Sequence, residues 1–121
     1  MDVPGNVVVT DFAPGEEVAR KSAVVVTNGG ASTSYQALAV GTPVLGLPSN
    51  LDQYLAMTAI EHAGAGRLVR AGSATVDEVR AGLSHLLESP QPRQQAQHIS
   101  ESFAQINCHA QFSNVLEMAL S

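Results

Sequence analysis

The stretch from Val24 to Gln53, VVVTNGGASTSYQALAVGTPVLGLPSNLDQ, constrains the fold more than any other part of the chain. It passes from a β-branched strand through Asn28-Gly29-Gly30 into a helix, then through Gly41-Thr42-Pro43 into a second apolar strand that Pro48 ends. Strands of this apolar kind, joined by a helix, belong to a parallel sheet covered on both faces. Each ends in a polar turn that feeds a helix, so both turns fall at the carboxyl edge, where open α/β sheets bind ligands. The order of glycine turn, hydroxyl run and Asp52-Gln53 suggests a pocket for a phosphorylated, hydroxyl-rich ligand.

The flanking segments extend this pattern. Asn6 to Thr10 (NVVVT) reads as a buried strand between Pro4-Gly5 and Pro14-Gly15, and Glu16 to Ser22 as a short helix or turn. Ala23 to Thr27 is the second strand, Ala31 to Val40 a helix that Gly41 stops as its C′ residue, and Pro43 to Leu47 the third strand. Asn50 is a natural N-cap for a helix to about Ala63, with Asp52 near its positive end. Gly64 and Gly66 close that helix, and Arg67 to Arg70 reads as the fourth strand. Thr75 and Glu78 have capping-box spacing ahead of a helix carrying Val79, Leu83, Leu86 and Leu87. Pro90 and Pro92 break it. Ile99, Phe103 and Ile106 then mark the next helix, and Phe112, Val115, Leu116 and Ala119 the last. The fold expected is α/β: a Rossmann-like parallel sheet of about four strands flanked by helices, with right-handed crossovers.

With 121 residues there is room for one domain, spanning 1–121, and 45% apolar content supplies a core. Six Lys+Arg against eleven Asp+Glu, a net charge of -5, argue against a nucleic-acid groove, which needs clustered cations. The single cysteine, Cys108, excludes an internal disulfide and fits a reducing cytoplasmic compartment. Its neighbour His109 does not share a helix face with it, so the pair reads as a helix end rather than a thiolate-imidazole couple. No apolar run approaches the ~18 residues of a membrane span, and no secretory signal opens the chain.

Four places can carry chemistry. Gly29-Gly30 lets backbone N–H groups approach an anion, with the N-terminus at Ala31, Ser32 and Thr33 and the hydroxyls of Ser32, Thr33 and Ser34 as further donors. The same residues also describe an ordinary strand-to-helix turn. Asp52 and Gln53 can accept from and donate to vicinal hydroxyls, or serve only the helix dipole and solvent. Phe12 follows a strand and can stack on a base, although an aromatic there is more often core. Gln36, a turn into the first helix, can reach a ribose or stay exposed. His62, His85, His98 and His109 share no ligand spacing with carboxylates or Cys108, so no metal site is expected, and no catalytic set is complete.

Taken in order, these segments resemble the C-terminal, nucleotide-sugar-binding half of GT-B glycosyltransferases, in the group of UDP-glycosyltransferases and macrolide glycosyltransferases. The carrying residues are Phe12-Ala13-Pro14, Val24-Val25-Val26-Thr27, Asn28-Gly29-Gly30, Ser32-Thr33, Gln36-Ala37-Leu38, Gly41-Thr42-Pro43 and Asp52-Gln53. Gly64-Ala65-Gly66 and the helix from Thr75 match the usual continuation, so the likeness covers nearly the whole chain. The resemblance implies that Phe12 lies against the base, that Asn28, Gly29, Gly30, Ser32 and Thr33 form the diphosphate turn, that Gln36 sits at the ribose, and that Asp52 and Gln53 meet the sugar hydroxyls. It implies a UDP- or TDP-sugar as donor substrate, with no cofactor and no metal, and hexosyl transfer as the activity.

Three positions depart from the family pattern. Its histidine is Asn28, which carries no positive charge; its ribose glutamate is Gln36; and its base-contacting glutamine is Gly15. Together they predict a weak or altered donor site. The family places the acceptor site and catalytic base in an N-terminal domain and opens the donor domain with a strand-helix-strand unit, and neither is found here. The expectation is therefore a donor-domain fragment, truncated or half of a split enzyme like the eukaryotic dolichol-linked N-acetylglucosaminyltransferase, inactive without an acceptor-domain protein. The strand at Asn6 is expected either to pack beside that at Ala23 or to leave an edge through which the chain forms a homodimer. The alternative is a non-catalytic binding or interaction module derived from the GT-B fold; an epimerase-type relative is disfavoured by Asp52-Gln53.

Overall fold

Three short strands, Val25–Thr27 (β1), Val44–Gly46 (β2) and Gly66–Leu68 (β3), form a parallel sheet in the order β1-β2-β3. Val25 stands opposite Val44, and Val44 opposite Gly66. The computed structural model describes residues 4–10 and 14–104, so Phe12, Cys108, His109 and the helix expected around Phe112 lie outside the described residues. Helices Gly15–Lys21 (α1), Ala31–Ala39 (α2), Leu51–His62 (α3) and Val76–Glu88 (α4) alternate with the strands, and a further helix occupies residues 90–104 (α5).

β2 is the centre. All three of its residues are buried, and their alternation divides the core between the two faces of the sheet. Val44 joins Ala37, Leu38, Met57 and Ile60 of α2 and α3, and a side chain on Gly46 would run into Met57 on the same face. Leu45 points the other way, where its Cδ1 would stand 2.9 Å from a Cβ on Gly82 of α4. Gly82 therefore sets how closely α4 approaches the sheet. Thr42, fully buried ahead of β2, donates its hydroxyl to the Ala19 carbonyl at 2.6 Å and ties α1 to the core.

The amino edge of the sheet is braced by α5. Arg93 Nη2 donates to the carbonyls of Ser22 and Ala23 ahead of β1, at 3.0 and 3.1 Å. Ser100 donates to Ala39 O at 2.6 Å, and Gln97 Cγ would stand 3.1 Å from a Cβ on Gly41. Gly41 holds φ +80 where α2 ends, the left-handed C′ position that its sequence neighbours call for. With the amino edge covered, the opposite edge carries the loops that feed the helices.

Two expectations are corrected. Residues 6–10 belong to no strand: a turn covers Gly5-Asn6 and exposed chain follows it, Val8 being 89% exposed, and among the described residues the sheet has three strands. A β-branched run becomes a strand only where a neighbour offers a ladder, and among the described strands none pairs with this segment. Pro90 and Pro92 do not end the helical region. The break is confined to Ser89, and both prolines sit in the first turn of α5, where a missing N–H is no loss.

Candidate functional site

The turn after β1 is held by its own residues. Gly30 N–H donates to Asn28 Oδ1 at 2.8 Å, so the asparagine oxygen closes the turn. Gly29 is buried at φ +88, a conformation open to glycine, and a Cβ there would stand 2.6 Å from Met57 Cγ and 3.3 Å from the Gln53 carbonyl. The glycine turn therefore rests directly on the first turns of α3. Beyond it α2 begins at Gly30 with no capping side chain, whereas α3 and α4 are capped by Asn50 and Thr75. Its first N–H groups, with the exposed Ser32 and Thr33, face outward at the positive end of the helix. Ser34 is fully buried, its hydroxyl 4.0 Å from Met57 Sδ, and drops out of the set of donors.

The turn after β2 is equally ordered. Asn50 Oδ1 accepts from Gln53 N–H at 2.9 Å, and Gln53 Oε1 accepts from Ser49 N–H at 3.0 Å and Ser49 Oγ at 3.2 Å. Gln53 thus pins the loop through its carbonyl oxygen, and Asp52 stays exposed in the first helical turn. The fold brings Asn28, Gly29, Gly30, Ser32 and Thr33 together with Asp52 and Gln53 at one edge. Gln36 goes elsewhere: its Oε1 would be 2.7 Å from a Cβ on Gly15, at the start of α1. Two of the positions that depart from the family pattern are thereby in contact with each other. Phe12 lies outside the described residues.

Sequence reasoning missed the third loop. Arg70, expected inside a strand, follows the end of β3, and its guanidinium carbon lies 4.8 Å from the ring centroid of Tyr54. Pro48, Ser49, Asn50, Leu51, Tyr54 and Arg70 help to line a concavity of about 650 Å³ beside the Asp52-Gln53 turn. The position of Arg70 at a strand's carboxyl end was the available signal. Among the described residues no three His, Cys, Asp or Glu side chains gather to hold a metal, and no helix is long and apolar enough to cross a membrane.

A parallel sheet with these loops at its carboxyl edge has the form of an open α/β ligand-binding half, the architecture shared by the nucleotide-sugar half of GT-B glycosyltransferases. The chain belongs to the family described as erythromycin biosynthesis protein CIII-like, C-terminal domain, which matches residues 1–118. It is 48% identical over 102 residues to the PGL/p-HBAD biosynthesis glycosyltransferase of Mycobacterium tuberculosis, covering 84% of this chain and 24% of that protein. Against the PGL/p-HBAD biosynthesis rhamnosyltransferase of Mycobacterium bovis it is 44% identical over 101 residues, 84% of this chain and 22% of that one. Among solved structures, glycosyltransferase VinC in complex with dTDP matches with a TM-score of 0.79 at 27% identity, over 85% of this chain and 26% of that one. The chain thus spans about a quarter of the length of the curated relatives it matches.

Proposed function

We propose that this chain is the nucleotide-sugar-binding part of a glycosyltransferase that transfers hexosyl groups, with acceptor and catalytic base contributed by another domain or protein. The observation that carries the reading is the uncapped N-terminus of α2 behind the Asn28-Gly29-Gly30 turn, seated against the Asp52-Gln53 turn. A diphosphate there meets backbone N–H groups and the Thr33 hydroxyl, with Gly29 and Gly30 allowing close approach. Asp52 accepts from hydroxyls of the sugar, and Gln53 donates through the amide nitrogen left over from its loop bonds. Gln36, near Gly15, belongs with the nucleoside end, and the family resemblance assigns Phe12, three residues before Gly15 in the sequence, to the same end. The donor is a UDP- or TDP-sugar.

The test is a thermal-shift screen with UDP, TDP and their sugars. A ligand at a hundred times its Kd adds ~2.7 kcal/mol to stability. A shift that Thr33→Ala and Asp52→Ala remove supports the reading; a folded protein that responds to no nucleoside diphosphate sinks it. That second outcome favours a non-catalytic module derived from the same fold, a reading favoured by one observation: the Gly30 N–H is already committed to Asn28 Oδ1, which leaves one donor fewer for an anion at the turn. On this reading the catalytic base belongs to another domain or protein, so the chain alone is expected to transfer no sugar. Glycosyl transfer by the purified chain would contradict this.

A further inference from the structure

The two turns at the carboxyl edge share one side chain. A Cβ on Gly29, in the turn after β1, would stand 2.6 Å from Met57 Cγ, 3.3 Å from Gln53 O and 3.7 Å from Gln53 Cβ. Gln53 and Met57 are four residues apart in α3, so they lie on one ridge of the helix, and the glycine turn rests across it. Gly46, the last residue of β2, meets the same methionine: a Cβ there would overlap Cγ and Sδ and stand 2.8 Å from Cε. The buried Ser34 hydroxyl, four residues into α2, donates to Met57 Sδ at 4.0 Å. The glycine turn, the end of β2 and the start of α2 thus close on one thioether.

Met57 is fully buried, so it cannot touch a ligand bound at this edge. It acts instead on the backbone above it. Gly29 and Gly46 give its slot two walls without a Cβ, and an unbranched side chain with three rotatable bonds fills such a slot where a β-branched one would not. A smaller side chain would leave a cavity directly beneath Gly29, and close-packed surroundings collapse into a cavity only in part. An anion site built on backbone N–H groups needs those groups held to within about 0.5 Å of their working positions. Loss of the floor therefore costs aim as well as packing.

We propose that Met57 is a positioning residue of the donor site, which holds the diphosphate turn in register with the Asp52-Gln53 turn so that the two ends of a nucleotide-sugar are bound as one unit. The assignment rests on the donor reading above. Ile60 supplies the comparison: it is buried on the same helix and in the same core, but it packs at Gly66, where β3 begins, away from the carboxyl edge. A cavity at Ile60 loosens the core without removing the floor of the turn.

UDP, TDP and UDP-glucose are titrated calorimetrically into the wild type, Met57→Ala, Met57→Leu and Ile60→Ala, at a temperature where circular dichroism shows each folded. Met57→Ala is expected to weaken binding of the nucleoside diphosphate about tenfold and of the nucleotide-sugar further. Met57→Leu, which conserves volume, should recover most of the affinity, and Ile60→Ala should stay within about twofold of the wild type. A Met57→Ala chain that binds like the wild type, or an Ile60→Ala chain weakened as much, overturns the assignment. A second measurement needs no cavity variant. The chain has three methionines, so the Met57 methyl signal in a methyl-labelled sample is identified by its loss in Met57→Leu. It should shift saturably with nucleotide although it is shut off from the ligand; a signal that stays still while nucleotide saturates the chain overturns the assignment alone. A wild type that binds no nucleoside diphosphate overturns the donor reading, and the role of Met57 falls with it.

Discussion

At the scale of single residues, the site is a matter of which atoms are already committed. Gly29 combines a left-handed backbone with a neighbour, Met57 Cγ, 2.6 Å from any Cβ, so Gly29→Ala is strained and crowded at once. It is expected to cost ~2 kcal/mol or more, read as a lower urea midpoint, whereas Gly72→Ala, with nothing within 4 Å, stays within ~0.5 kcal/mol. Gln53 makes a second case. Gln53→Ala removes the acceptor for Ser49 and is expected to lose ~1 kcal/mol. Gln53→Glu keeps an oxygen for Ser49 and sits well at a helix N-terminus, so stability should hold. It loses the amide donor, so binding of a nucleotide-sugar should weaken more than binding of the bare nucleotide, measurable by calorimetry. The turn residues were legible in the sequence because Asn, Gly and Asp have local reasons to stand there. The burial of Ser34 and the turn of Gln36 toward Gly15 were not, because both depend on neighbours distant in the chain.

At the scale of elements, caps and braces decide where the loops stand. Asn50→Ala and Thr75→Ala each remove a side-chain acceptor from the first turn of a helix and are expected to cost ~1 kcal/mol apiece. Of these only Asn50 lies in the turn after β2, where the proposed function places the donor sugar, so its loss should also weaken nucleotide-sugar binding. Arg93 joins α5 to two carbonyls ahead of β1, and Arg93→Met should cost ~2 kcal/mol in chemical denaturation while leaving ligand contacts untouched. Strands β1 and β2 and helices α2 to α4 were legible because glycine, proline and capping residues mark their ends. Residues 6–10 misled because Val7-Val8-Val9 has strand propensity but no ladder to join. The third loop escaped because Arg70 and Tyr54 lie 16 residues apart and meet only once α3 and β3 pack.

At the scale of the whole molecule, the arrangement is asymmetric: α5 braces the amino edge, the carboxyl edge carries the turns after β1 and β2, and β1 stands at the rim of the sheet among the described residues. Val26 of β1 is 49% exposed, and among the described residues no strand pairs with the outer side of β1. Self-association through β1 is expected, seen as a concentration-dependent rise in sedimentation mass that Val26→Lys reduces; a monomer at every concentration contradicts a homodimer through this edge. The class of fold was legible because the ordered turns carry it, even where Asn28, Gln36 and Gly15 depart from the family pattern. The central claim is that a nucleoside diphosphate binds at the turns after β1 and β2. Its most direct test is amide chemical-shift mapping of the labelled chain during titration with UDP or TDP. Saturable shifts are expected at Gly29, Gly30, Ala31, Ser32 and Thr33, with smaller ones at Asp52 and Gln53. A saturable response confined to the amino edge, or none anywhere in a folded protein, would contradict it.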